Sequence, residues 1–149
     1  MIISALLITH LFMTQYNLSI LQAAFVFLSF FPFLSMFETS KILKYQHAKA
    51  DGIYDDGFWD KKMLEINQMD DKDMLENEEV KELLSMAEVV IRYLLIIGSS
   101  VCLSFFSLVS IAAGIPAYLF FSNKKINKFI FFISNLISFC VFLACVLFV

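Results

Sequence analysis

Few residues in this sequence combine a chemical type and a spacing that could carry out chemistry. His10 lies inside an apolar run, where an ionisable side chain could relay protons or line a pore. The other long apolar runs contain no Asp or Glu that would complete a proton relay. We therefore interpret His10 as a structural or interfacial residue.

Metal-binding and catalytic patterns are also missing from the sequence. An EF-hand loop ending its turn at Gly57 would need oxygen ligands where Gly52 and Tyr54 stand, so the nearby aspartates are better explained as solvated turns. The HExxH, GxSxG and Walker patterns are absent. The 3 cysteines have no CxxC or Cys/His spacing; they are Cys102, Cys140 and Cys145. The sequence predicts no enzyme, and no catalytic, cofactor-binding or metal-binding residue.

Composition predicts which solvent surrounds the chain. Hydrophobic residues make up 60% of the 149 residues, charged residues 17%, and the mean hydropathy is +0.78. All 14 acidic residues lie between Glu38 and Arg92, together with every basic residue except Lys124, Lys125 and Lys128. This segregation predicts an all-α integral membrane protein with one acidic aqueous segment, and it offers no basic surface for nucleic acid.

Three uncharged or nearly uncharged runs are long enough to cross a bilayer as helices, which takes about 20 residues. They are Leu18 to Phe37, Val89 to Phe121 and Phe129 to Val149. We expect the second run to form a span from Val90 to Ala113, because Gly114 to Pro116 is typical of a helix end. An interfacial elbow and a tight turn around Lys124 would then lead into the last span as an antiparallel neighbour.

The N-terminal 13 residues are too short to cross a bilayer alone. We expect one long tilted helix from Met1 to Phe37, with a bend near Pro32. The alternative is a fourth, short membrane segment that turns at residues 14–17. Three regions follow: a membrane helix over residues 1–37, an extramembrane acidic segment over 38–88, and a transmembrane hairpin over 89–149.

The acidic segment should consist of a loop followed by a helix. Turn dipeptides predict a loop from Ala50 to Asp60. From Val80 to Leu94 the apolar residues follow one helical face, and Asn77 or Asp73 can cap the start. We expect an unbroken helix from Asn77 to Ala113. Within it Glu88 and Arg92 would form an ion pair at the membrane boundary, with Arg92 reaching toward water.

Small residues at four-residue spacing predict surfaces where helices pack closely. On the second span these helix-packing residues are Gly98, Cys102, Ser110 and Gly114. Gln22 and Asn135 could add hydrogen bonds between helices. A row of serines on the same span comes closest to a pore lining. It comprises Ser99, Ser100, Ser104, Ser107 and Ser110.

Three functions fit this outline. The favoured one is a non-catalytic subunit of a membrane protein assembly, whose partners are lipid and either other subunits or copies of itself. The alternatives are a homo-oligomeric pore or lytic defence effector, and a membrane-embedded immunity or regulatory protein that blocks another membrane protein.

Lysine counts near the spans predict that residues 38–88 face the cytoplasm and that the C-terminus lies inside. The lysines around Lys124 would then lie on the opposite side. A bacterial inner membrane or an organelle membrane suits this topology.

Overall fold

The structure, a computed structural model, describes residues 2–54, 56–68, 77–102 and 107–148. Within these ranges the chain forms seven helices and no strand, which confirms the all-α class. The helices are α1 (Ile2–Tyr16), α2 (Ile20–Phe37), α3 (Thr39–Ala50), α4 (Asp56–Asn67), α5 (Glu78–Cys102), α6 (Ser107–Phe121) and α7 (Lys128–Phe148). The first part of the acidic run from Asp70 to Glu82, up to Glu76 and with the capping candidate Asp73, lies outside the described residues, as do Asp55 and Ser104.

Three of these helices, α2, α5 and α7, are long and apolar enough to cross a membrane, judged by length and composition. Apolar α6 is shorter. Polar side chains are few in α2, α6 and α7, those of α5 are concentrated in its first half, and many large apolar side chains on the outer faces of these helices are exposed. The number of long apolar helices therefore agrees with the sequence prediction.

The N-terminal region is not the single long helix that we expected. α1 ends at Tyr16, and Asn17 adopts a left-handed backbone conformation with φ of 49°. A capping box then starts α2, in which Gln22 N donates to Ser19 Oγ over 3.2 Å and Ser19 N donates to Gln22 Oε1 over 3.0 Å. Because α1 packs against α2, the structure agrees with the alternative of a separate short helix.

The helix predicted to begin at Asn77 is confirmed at its start and wrong at its end. Asn77 Oδ1 accepts a hydrogen bond from Glu79 N over 2.8 Å, and α5 then runs unbroken to Cys102. It does not continue to Ala113. The rings of Tyr93 and Phe120 stack with centroids 4.7 Å apart. Since residues late in α6 contact residues early in α5, the two helices are antiparallel.

The predicted helix stop at Gly114 to Pro116 is wrong, because α6 continues through both residues to Phe121. The expected interfacial elbow is therefore helical as well. A proline removes one backbone donor, and an apolar helix tolerates this where a neighbouring helix supplies another. The N–H that Pro116 lacks would have bonded the carbonyl of Ala112, and one residue further on Ser138 Oγ of α7 donates to the carbonyl of Ala113 over 3.0 Å.

The four apolar helices pack in the order α5, α6, α7 and α2, each antiparallel to the next. The turn around Lys124 joins α6 and α7 as antiparallel neighbours, whereas the hairpin predicted from the sequence had the span from Val90 to Ala113 as its first arm. The most extensive pair is α2 with α7, held at one end by Gln22 Nε2, which donates to the carbonyl of Val146 over 3.1 Å. Phe33 and Phe139 pack together further along, with ring centroids 5.3 Å apart.

The segment after α2 is more helical than the sequence suggested. The chain turns into α3 at Thr39, and within the described residues the turn that follows covers residues 51–54 before α4 begins at Asp56. The predicted loop from Ala50 to Asp60 is therefore wrong over most of its length. Buried Ile42, Leu43 and Tyr45 join the core of the bundle, which holds α3 against its end.

Candidate functional site

A buried arginine lies between α2 and α5. Arg92 is 2% exposed, and its Nη1 donates to Glu38 Oε2 over 2.8 Å and to Ser35 Oγ over 3.2 Å. Glu38 directly follows the last residue of α2, so the end of that helix supplies the carboxylate. Burying a guanidinium away from water is costly unless it is paired and hydrogen-bonded, and this contact provides both.

A chain of polar contacts extends from this pair across the bundle. Ser35 Oγ donates to the carbonyl of Phe31 over 2.8 Å. Tyr93, next to Arg92, donates its hydroxyl proton to Asn135 Oδ1 of α7 over 3.3 Å, and Asn135 Nδ2 donates to the carbonyl of Phe131 over 2.9 Å. The predicted interhelical role of Asn135 is confirmed. We call Ser35, Glu38, Arg92, Tyr93 and Asn135 the polar cluster.

The polar cluster is suited to holding helices together. Its members come from α2, α5 and α7, and their mutual contacts lie in an apolar surrounding where hydrogen bonds are electrostatically strong. The sequence assigned Arg92 a partner within its own helix, Glu88, and a position reaching toward water. Instead, the carboxylate that pairs with Arg92 comes from a different helix, and the side chain is buried. A contact with Glu88 stays a prediction.

A second set of contacts ties α3 to the turn between α6 and α7. Gln46 is buried, and its Nε2 donates to the carbonyls of Ser122, over 3.1 Å, and Lys124, over 2.6 Å. Its Oε1 accepts from the backbone N–H of Ile126 over 3.4 Å, and His47 Nε2 lies 3.1 Å from the carbonyl of the same residue. One face of α3 therefore supplies partners for backbone groups of this turn.

Two lysines extend this attachment, which we call the α3 clasp. Lys49 Nζ donates to the carbonyl of Phe121 over 2.6 Å, and it lies 5.4 Å from the centre of the Phe121 ring. Lys125 Nζ pairs with Asp51 Oδ1 over 2.8 Å. The turn containing Lys124 and Lys125 therefore lies at the same end of the bundle as α3. The sequence-based topology had placed it at the opposite end.

Replacing Gln46 should reveal how much the α3 clasp contributes. We expect Gln46→Ala to lower the free energy of unfolding by about 1–2 kcal/mol, because two carbonyls and one N–H lose their partner at a site that is part-buried. Unfolding of the purified protein in detergent measures this. The matched control Gln15→Ala changes an exposed glutamine of α1 and should have little effect. Equal effects of the two substitutions would contradict a stabilising role for the clasp.

The predicted small-residue surface divides into two parts. Gly98 and Cys102 lie on the exposed face of α5, and a Cβ placed on Gly98 would meet no atom within 4 Å. Gly114 instead faces α5, where a Cβ would lie 3.3 Å from Ser100 Oγ. Ser110 is half-buried on α6. The structure therefore brings Gly114 into a close approach within the chain and leaves Gly98 and Cys102 on the outside.

The serine row has mostly local contacts where the structure describes it. Ser99 Oγ and Ser100 Oγ both donate to the carbonyl of Ile96, over 2.8 and 2.7 Å. Ser104 lies outside the described residues. Among the described residues, no three His, Cys, Asp or Glu side chains are grouped so that they could hold a metal ion.

The end of the bundle near α3 and α4 carries a cavity of about 270 Å³. Tyr45, Tyr54 and Phe58 supply aromatic walls, and ion pairs form the rim. Lys44 Nζ lies 2.6 Å from Glu82 Oε1, and this hydrogen bond raises the lysine pKa above its usual value. Lys62 Nζ lies 2.6 Å from Glu79 Oε2, with the same effect on its pKa. The rim is therefore charged but internally paired.

Sequence reasoning did not identify Ser35, Glu38, Gln46 or Tyr93. Glu38 carried a usable signal, since it is the first charge after a long apolar run and could have been considered for Arg92. The other residues are common types, and only the packing of separate helices gives them partners.

The fold and the polar cluster define a class of protein: a helical bundle with three helices apolar enough to span a membrane, joined internally by a buried ion pair. We find no match to the chain among protein-family models, curated proteins or solved structures. Its function therefore has to be inferred from its own surfaces.

Proposed function

We propose that the chain is an integral membrane protein and serves as a non-catalytic subunit of a membrane protein assembly. In this arrangement α2, α5 and α7 cross the bilayer, and the shorter α6, packed between α5 and α7, returns the chain across it. The large apolar side chains exposed along these helices support the proposal, because lipid would cover them. The charged residues lie at the end near α3, where water and headgroups would be.

The observation that carries the subunit role is the open space at Gly98. This residue lies on the outer face of α5, one turn before exposed Cys102 and beside exposed Leu94 and Val101. A glycine in a membrane helix lets another helix backbone approach closely. Among the residues that the structure describes, no neighbouring helix comes within 4 Å of a Cβ placed on Gly98. A helix from another subunit or from a second copy would fit there.

The alternative of a pore has less support. A pore needs a continuous polar surface along a helix, whereas Ser99 and Ser100 of α5 bond to their own backbone and the larger polar groups contact one another inside the bundle. A subunit needs no such surface. The absence of a recognised catalytic pattern in the sequence supports a non-catalytic role.

The substitution Gly98→Leu tests the assembly role. We expect it to weaken association at least about tenfold while the fold is kept, because the added side chain meets nothing within the chain but blocks the approach of another helix. The measurement is the mass of the detergent-solubilised particle isolated from native membranes, compared with the 17.1 kDa of one chain. The composition of that particle also separates a homo-oligomer from a heteromeric complex.

Gly114→Leu is the matched comparison. Its side chain would collide with Ser100 inside the chain, so it should lower thermal stability by itself, whereas Gly98→Leu should not. A Gly98→Leu protein with unchanged particle mass would show that this face does not carry the assembly.

A further inference from the structure

An apolar groove runs along the outer surface between α5 and α6, with a volume of about 480 Å³, which is within the range of ligand-binding clefts. Gly114 adds no side chain, so the wall of the groove is backbone at that point. The lining residues are Leu94, Ile97, Gly114, Tyr118, Phe121 and Ser122. Gly98 is not among them, but Leu94 and Ile97 adjoin it on α5, so the groove borders the open space at Gly98 that carries the subunit proposal.

The groove has a different character at its two ends. Because Tyr93 stacks on Phe120 and Gly114 approaches Ser100, Leu94 lies near Phe121 and Ser122, and Ile97 and Gly114 lie toward the other, apolar end. Ser122 opens directly onto the basic turn. Lys124 is exposed there, and its backbone N–H donates to Ser122 Oγ over 3.2 Å. Lys125 follows it and is more than half exposed while paired with Asp51. Positive charge is therefore concentrated at one end of an otherwise apolar groove.

The exposed side chain of Tyr118 indicates how deep each end of the groove would lie in a bilayer. It lines the groove one turn before Ser122, and its exposed fraction is 75%. Tyrosines concentrate at the level of lipid headgroups, where the ring contacts acyl chains and the hydroxyl contacts water. The basic end of the groove would therefore lie at headgroup level, and the Ile97 end would lie deeper in the bilayer.

We propose that this groove binds one acyl chain of an anionic phospholipid, whose phosphate contacts Ser122 and Lys124. A ligand with one negative end and one long apolar end matches the groove in both shape and charge. A partner helix would present apolar side chains along its whole length and would leave the lysine end unmatched. The inference rests on insertion of the chain in a membrane and does not depend on the subunit role.

Native mass spectrometry of the purified full-length chain tests the proposal. The two probes are phosphatidylglycerol and phosphatidylcholine with identical acyl chains, added separately at equal concentration in detergent. We expect phosphatidylglycerol to be retained about fivefold more, as for one lysine facing anionic lipid. Lys124→Gln should remove most of this preference. Leu94→Trp, which fills the groove, should lower retention of both lipids.

Two matched controls use residues outside the groove. Lys81→Gln changes an exposed lysine that pairs with Glu78, and Ile91→Trp enlarges another exposed residue of α5. Both should leave lipid retention unchanged. Equal retention of the two probes, or an unchanged preference in Lys124→Gln, would overturn the proposal, as would a second copy found in the groove in place of lipid. Flotation of the chain with vesicles reports membrane insertion separately.

Discussion

In intact cells, cysteines placed at Lys61 and at Lys124 should both be protected from a membrane-impermeant maleimide, and a cysteine placed at Phe148 should react. Each cysteine is introduced singly, into a variant whose native Cys102, Cys140 and Cys145 are replaced. Permeabilising the membrane should expose the two protected sites. The effect is close to all-or-none, because a reagent that cannot cross the bilayer reaches one side only.

The α3 clasp is the reason for this expectation. It attaches the turn between α6 and α7 to α3, and the ion pair of Lys62 with Glu79 holds α4 against the start of α5. All of these groups lie at one end of the bundle, so the lysines after α2 and those near Lys124 share one side. In a membrane, the positive-inside rule predicts that this side faces the cytoplasm. The far end of α7, with Phe148, would then lie outside.

Two labelling patterns of the introduced cysteines would contradict this arrangement. If Lys61 and Lys124 prove to lie on opposite sides, the single span from Val90 to Ala113 expected from the sequence would be right and the antiparallel α5–α6 pair would be wrong. If the sites at Lys61 and Lys124 both react while Phe148 is protected, the bundle is correct and its orientation is reversed.

The second large effect is expected from Glu38→Gln. Removing the carboxylate takes the ion pair with Glu38 away from the buried Arg92 charge, and we expect the free energy of unfolding to fall by about 2–3 kcal/mol. Because 38% of the Glu38 side chain is exposed, water can compensate in part, and the loss should be smaller than for a fully buried pair. Unfolding in mixed micelles with increasing denaturing detergent measures this difference.

Two further variants make the measurement specific. Glu82→Gln breaks the exposed pair with Lys44 and should cost less than about 1 kcal/mol. The double variant Glu38→Gln with Arg92→Met removes both members of the buried pair and should be more stable than Glu38→Gln alone, because no uncompensated charge remains. A double variant as unstable as the sum of the two single changes would show that the pair is not coupled.

Much of the fold could be predicted because apolar runs and helix caps are local signals. The three long apolar helices, the Asn77 cap and the antiparallel pair around Lys124 all follow from neighbouring residues. The position at which the chain reverses direction between α5 and α6 could not be predicted from neighbouring residues. The apolar run from Val89 to Phe121 looks continuous, and Gly114 and Pro116 are helix breakers in water. In the bundle they lie inside α6, where Ser138 of α7 donates to the carbonyl of Ala113.

The polar cluster could be predicted only in part for a related reason. Spacing along one helix suggests partners such as Glu88 for Arg92, since four residues make one turn. The partner that the structure supplies, Glu38, belongs to a helix far away in the sequence, and only the packing of α2 against α5 brings the two together. Asn135 was correctly expected to bond between helices, because an amide in an apolar span has few other options.

The pairing of α2 with α7 also has a consequence for the order of synthesis. α2 leaves the ribosome early, but its most extensive neighbour is the last helix of the sequence. Until α7 emerges, α2 has α1 beside it, and α5 is the next apolar helix to arrive. Arg92 on α5 can already reach Glu38 and Ser35 at that stage. The ion pair can thus hold α2 and α5 together before α7 is synthesised and packs against α2.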